Sequence, residues 1–144
     1  MADPERISPQ EASAKLAEGF TYVDVRTVEE FEAGHPPGAV NVPLMHAAPG
    51  GMTPNPEFLR VLSAVFQVDA KLVVGCKAGG RSLRAARALL GAGFTSVLDQ
   101  RAGWDGARDA FGQLTEPGWS RAGLPAEHGQ PAGRSWEDVK KRAG

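Results

Sequence analysis

The stretch Cys76-Lys77-Ala78-Gly79-Gly80-Arg81-Ser82 brings a thiol, two cations, two adjacent glycines and a hydroxyl into seven residues. Cys76 is the only cysteine of the 144-residue chain, so any thiol chemistry runs through it, and neither an internal disulfide nor a multi-thiolate zinc cluster can form. Consecutive glycines permit backbone conformations in which several N–H groups turn toward one point, making an anion-binding nest. A helix following the stretch adds its partial positive charge, and Lys77 and Arg81 add full ones. A free cysteine with a pKa near ~8.5 is only about 3% thiolate at neutral pH, whereas one at a helix N-terminus beside cations can be mostly ionised. The pattern therefore suits a nucleophilic Cys76, with Lys77, Ala78, Gly79, Gly80, Arg81 and Ser82 holding a sulfur anion or an anionic substrate. On residue type alone a lone cysteine is most often a small buried hydrophobe; the surrounding loop is what argues for chemistry. Arg84 and Arg87, further along the helix, read as a solvated face.

Such a loop must be carried by regular elements on both sides. Lys71–Gly75 is apolar and bounded by glycine, as expected of a strand, and Ser82 to about Gly91 has Leu83, Ala86, Leu89 and Leu90 spaced to face a core. A strand feeding a helix through a glycine loop places that loop at the carboxyl end of a parallel sheet, where ligands bind. Upstream, Ser8-Pro9-Gln10-Glu11 and Thr27-Val28-Glu29-Glu30 are capping-box starts. The first predicts a helix running toward Gly19, and the second a brief one stopped by Gly34-His35-Pro36-Pro37-Gly38. Phe20–Val25, Ala39–Val42 and Thr95–Leu98 are strand candidates, with a proline- and glycine-rich loop over 43–56. Phe58, Leu59, Leu62, Val65 and Phe66 form a helical stripe, and 102–111 could be helical. Ser135–Lys141 could form a terminal helix. Strands alternating with helices predict a three-layer α/β domain with a parallel sheet flanked by helices on both faces.

The composition is 42% hydrophobic and 23% charged, with a net charge of −1. That fits a soluble globular chain and offers no bulk attraction to nucleic acid or to an anionic membrane, so neither is expected as a partner. Residues 1–7 lack the basic and apolar segments of a secretory signal, and one unpaired thiol suits a reducing cytoplasm.

Tyr22-Val23-Asp24-Val25-Arg26, then Glu30-Phe31, then Gly34-His35-Pro36-Pro37-Gly38-Ala39-Val40-Asn41-Val42-Pro43, resembles the N-terminal signature of rhodanese domains. The Cys76–Ser82 stretch resembles their active-site loop. The resemblance spans about Ile7 to Pro125 and implies a rhodanese-like domain over 1–125 with a C-terminal extension over 126–144. It also implies that Cys76 carries sulfur, and that Asp24 and Arg26 support the loop from a nearby strand end through hydrogen bonds and ion pairing. His35 matches a family position and reads as a turn residue satisfied by backbone; His46 and His128 have no motif around them. The chain departs from the family pattern at Pro36, where an apolar residue is more usual, and in the long segment from Gly103 to Pro125. In that segment Trp104 and Trp119 compete for one expected tryptophan.

The implied reaction is a double displacement. A small anionic donor such as thiosulfate leaves a persulfide on Cys76, and cyanide or a thiol then removes the sulfur. No metal or organic cofactor is required. Two other classes stay open: a cysteine-dependent phosphatase or arsenate reductase of related fold, and a persulfide carrier or docking module that meets a protein sulfur donor or acceptor. Loop length bears on the first. Such phosphatases place five residues between cysteine and arginine with a histidine before the cysteine, whereas four separate Cys76 from Arg81 and Gly75 comes before.

Overall fold

The computed structural model describes residues 3–144; residues 1 and 2 of the amino-terminal stretch read above lie outside it. Five strands form one sheet: β1 (Glu5–Ile7), β2 (Thr21–Asp24), β3 (Val40–Asn41), β6 (Lys71–Gly75) and β7 (Ser96–Gln100). Their order is β1-β7-β6-β2-β3, and every pairing is parallel. The helices are α1 (Pro9–Ala17), α2 (Val28–Ala33), α3 (Phe58–Val65), α4 (Gly80–Gly91) and α5 (Trp136–Ala143).

Alternation along the strands builds a core on each face. Val23, Leu72, Val74 and Val97 pack with α3, α4 and α5, while Ile7, Tyr22 and Val73 pack with α1, Phe31 of α2 and Trp119. This is the three-layer arrangement expected. Both capping boxes form, with the Ser8 hydroxyl accepting from the Glu11 N–H and the Thr27 hydroxyl from that of Glu30. From residue 126 onward the chain returns to the sheet. Trp136 and Val139 enter the first core, and the Asn41 N–H of β3 donates to the Arg134 carbonyl at 2.9 Å.

The structure departs from the sequence reading in four places. The expected loop over 43–56 contains an antiparallel hairpin, β4 (Met45–Ala48) with β5 (Gly51–Pro54). Residues 102–111 are not helical: Gly103 and Gly106 take φ of 66° and 125°, and the chain enters a second hairpin, β8 (Gly106–Arg108) with β9 (Leu114–Pro117). The edge strand β1 had no recognisable pattern. On α3 and α4 the buried faces are rotated from the expected stripes, so Val61 and Ala85 point inward and Leu59 is exposed.

Candidate active site

Cys76 follows β6 directly, and α4 begins at Gly80, two residues earlier than the periodicity suggests. The start is early because Gly79 takes the left-handed conformation, φ 102°, as N-cap. A side chain at Gly79 would run into the Arg101 carbonyl, so this position needs glycine twice over. The resulting tight turn brings the Gly79 N–H to 3.1 Å from Cys76 Sγ. Gly80, Arg81 and Ser82 form the first helical turn, whose N–H groups the helix leaves unpaired. Cys76 itself is 2% exposed, at the bottom of this cradle.

Ser82 is buried, with its Oγ 3.5 Å from Sγ and 3.3 Å from the Gly79 carbonyl oxygen. The thiol donates to that hydroxyl, which in turn donates to Gly79.

The two cations differ in how they are held. Arg81 holds Glu30 with both terminal nitrogens, at 2.7 and 3.0 Å. Burial works to raise the Glu30 carboxyl, but the hydrogen bonds from Arg81, the Thr27 backbone and the Thr27 side chain outweigh it and bring it down to about 2. Lys77 is exposed and stands 3.8 Å from Asp105, a surface pair too weak to fix it. Anion recruitment therefore falls to Lys77 and the backbone more than to Arg81.

Asp24 and Arg26 differ from the role assigned to them above. They are buried and bond to each other, with Arg26 Nε 2.9 Å from Asp24 Oδ1, and Arg26 Nη2 also donates to the Gly34 carbonyl at 2.6 Å. Burial disfavours the Arg26 charge and Asp24 more than restores it, raising its pKa. Their bonds hold the 34–38 turn, not the Cys76 loop. Asn41 Nδ2 reinforces the corner by donating to the carbonyls of Asp24 and Arg26. His35 is a structural residue, as expected: Nδ1 lies 2.7 Å from the Phe31 carbonyl and Nε2 3.1 Å from Glu127.

What supports the loop is a segment that sequence reasoning assigned to a helix. The N–H groups of Trp104 and Asp105 donate to the carbonyls of Cys76 and Lys77 at 2.8 and 2.9 Å. A Cβ at Gly103 would sit 2.5 Å from the Lys77 carbonyl oxygen, so only glycine lets the two backbones meet. Trp104 covers the Arg26 guanidinium, 5.1 Å from ring to charge. Trp119, the competing tryptophan, is in the second core and donates to the Pro125 carbonyl. Beside the loop is a cleft of about 230 Å³ lined by Arg26, Glu30, Ala33, Lys77, Trp104 and Asp105. A larger groove, about 390 Å³, runs between α3 and α5 and is lined by Glu57, Arg60, Trp136 and Lys140, with no thiol or hydroxyl in its lining.

Asp99, at the end of β7, is a further ionisable group near the loop. Its side chain is buried and pairs with Arg6 at 2.7 Å through Oδ2; Oδ1 has no hydrogen-bond partner among the described residues. An unpaired buried acceptor costs about 1–3 kcal/mol.

Over residues 8–110 the chain matches the family described as Rhodanese-like domain. It belongs to that family. The rhodanese-like chain is 40% identical over 124 residues to Thiosulfate sulfurtransferase 16, chloroplastic, of Arabidopsis thaliana, covering 86% of this chain and 93% of that protein. It is 38% identical over 108 residues to Protein HIGH ARSENIC CONTENT 1, mitochondrial, from the same plant, covering 75% of this chain and 64% of that protein. Among solved rhodanese-fold structures, the crystal structure of Rv0390 from M. tuberculosis superposes with a TM-score of 0.73 at 28% identity, covering 89% of this chain and all of that one. The match includes Gly103, Trp104 and Asp105, so the support behind the loop lies within the family domain.

Proposed function

We propose that this chain is a sulfurtransferase that carries one sulfur atom as a persulfide on Cys76. The Cys76 thiolate attacks the outer sulfur of thiosulfate; an S–S bond forms to Sγ, the bond to the sulfonate sulfur breaks, and sulfite leaves with the electron pair. Cyanide or a thiolate acceptor then attacks the outer sulfur and releases the Cys76 thiolate. The observation that carries this reading is a buried Cys76 sulfur that accepts from the Gly79 N–H at 3.1 Å directly ahead of the first turn of α4, a helix start that favours an anion. Lys77, exposed at the rim, draws the anionic donor inward. The relative named as a thiosulfate sulfurtransferase supports the choice of donor.

The test is intact mass spectrometry of the whole protein after thiosulfate treatment. A gain of one sulfur atom that a thiol reverses is expected, and no gain in folded protein with a free Cys76 would defeat the proposal.

The relative named for arsenic content favours a second reading, an oxyanion reductase using the same thiol. The tight turn at Gly79 opposes it, because four intervening residues close the cradle around sulfur and leave little room for a tetrahedral oxyanion in line with the thiolate.

A further inference from the structure

Asp99 takes no part in the displacement steps above, yet through Arg6 and the Gly79 carbonyl it is linked to Ser82, whose hydroxyl touches the Cys76 sulfur. β7 lies next to β6, with Asp99 opposite Val74, two residues before Cys76. The Arg6 guanidinium, from β1, gives Nε to Asp99 Oδ2 at 2.7 Å and Nη2 to the Gly79 carbonyl at 3.2 Å. The Gly79 carbonyl therefore has a donor without Ser82. Ser82 Oγ and Arg6 Nη2 meet at the same Gly79 carbonyl, which sets Ser82 beside the Arg6–Asp99 pair; the hydroxyl favours the charged form of Asp99, whose Oδ1 is unbonded here. A hydroxyl has one proton to give. If Ser82 turns that proton to Oδ1, Arg6 still satisfies Gly79, the orphaned oxygen is paired, and the hydroxyl lone pair faces sulfur.

We propose that Asp99 is a positioning residue that restrains Cys76 by holding the proton of the Ser82 hydroxyl. While the carboxylate is ionised, Ser82 offers the sulfur a lone pair, which accepts from a thiol. When the carboxyl is neutral it can donate from Oδ1 to Ser82 Oγ, and Ser82 then donates its own O–H to a thiolate or persulfide. Burial supports this by raising the Asp99 carboxyl, an effect that Ser82 and Arg6 only partly offset. Arg6 is the cation on the carboxylate; Lys77 and Arg81 face the loop from its outer side and engage Asp105 and Glu30. The proposal rests on the sulfurtransferase reading for its purpose, but its test reads the thiol directly.

The experiment measures alkylation of Cys76 by iodoacetamide across pH, with thermal melting as a check on folding. At neutral pH Asp99→Asn should react about fivefold faster than wild type. Ser82→Ala, which removes the acceptor that holds the thiol, should also react faster than wild type, and Ser82→Thr, which keeps the hydroxyl, should match wild type. In the Ser82→Ala background, Asp99→Asn should change the rate less than about twofold, because the restraint acts through Ser82. A merely structural Asp99 would slow both single variants or leave both unchanged, which overturns the proposal, as does an undiminished gain in the double variant. Should Asp99→Asn alone fold poorly, Asp99→Ala removes the carboxylate while leaving Arg6 on the Gly79 carbonyl and gives the same reading. Failure of wild type to load sulfur from thiosulfate would count against the sulfurtransferase reading and leave these alkylation rates interpretable.

Discussion

Arg81 and Glu30 meet fork to fork, at 2.7 and 3.0 Å, across 51 positions of sequence. One carboxylate thereby serves two elements, since Glu30 also accepts from the Thr27 N–H that starts α2. The bond ties the active-site loop to α2.

The first prediction concerns this pair. The Glu30 carboxyl lies at about 2 in the fold against an ordinary 4.5. A depressed folded value stabilises above the ordinary value, and the contribution is lost as pH falls through the folded one. Glu30→Gln should cost about 1–2 kcal/mol at neutral pH and flatten the wild-type loss of stability between these two values. Urea denaturation across acidic pH measures both; equal acid sensitivity in the two proteins would refute the assignment.

Lys77 is the mobile cation of the site. Lys77→Ala should lower kcat/KM for thiosulfate by about three- to tenfold, and added salt should weaken wild type more than the variant. Unchanged kinetics in the variant, with no salt effect on either, would show that recruitment is left to the backbone.

Cys76→Ser should remove sulfur loading altogether while melting close to wild type, because the change is nearly isosteric and Sγ makes only two hydrogen bonds. Persistent transfer by the folded variant would exclude a Cys76 persulfide.

Gly103→Ala tests the backing of the loop. With φ at 66° and the Lys77 carbonyl in the way, the substitution should cost about 1–3 kcal/mol in backbone strain. It should also slow sulfur loading beyond what stability explains, since the Cys76 and Lys77 carbonyls must shift. Loading as fast as wild type would show that this segment does not set the loop's shape.

Loop length is tested by inserting one glycine between Gly79 and Gly80. The insertion should abolish sulfur transfer by moving the Gly79 N–H off Sγ, and the parent protein should show little hydrolysis of aryl phosphates. Efficient phosphate hydrolysis by the parent, lost in Cys76→Ser, would reverse the assignment.

Local signals carried much of this architecture. Ser8 with Glu11 and Thr27 with Glu30 announce helix starts three residues apart, and Lys71–Gly75 is apolar enough to be a buried parallel strand on sight. The candidate loop was legible for the same reason, since Cys76 to Ser82 is contiguous. What the sequence hid was long-range. Arg6 finds Asp99 across 93 positions, and nothing in Glu5–Ile7 marks an edge strand. Residues 102–111 have helical spacing, yet Gly103 and Gly106 are in left-handed backbone because of what they pack against. The β4–β5 hairpin lacks alternating β-branched residues, and Gly50-Gly51 at its turn was its one clue.

The hydrogen bond from Asn41 to Arg134 bears on solubility. β3 is the outermost strand on its side of the sheet, and an uncovered strand edge is a template on which a second chain can pair. With Arg134 on its backbone and α5 packed close by, the 126–144 segment acts as a guard strip. Removing it would take away one helix and open the β3 edge to pairing with a second copy.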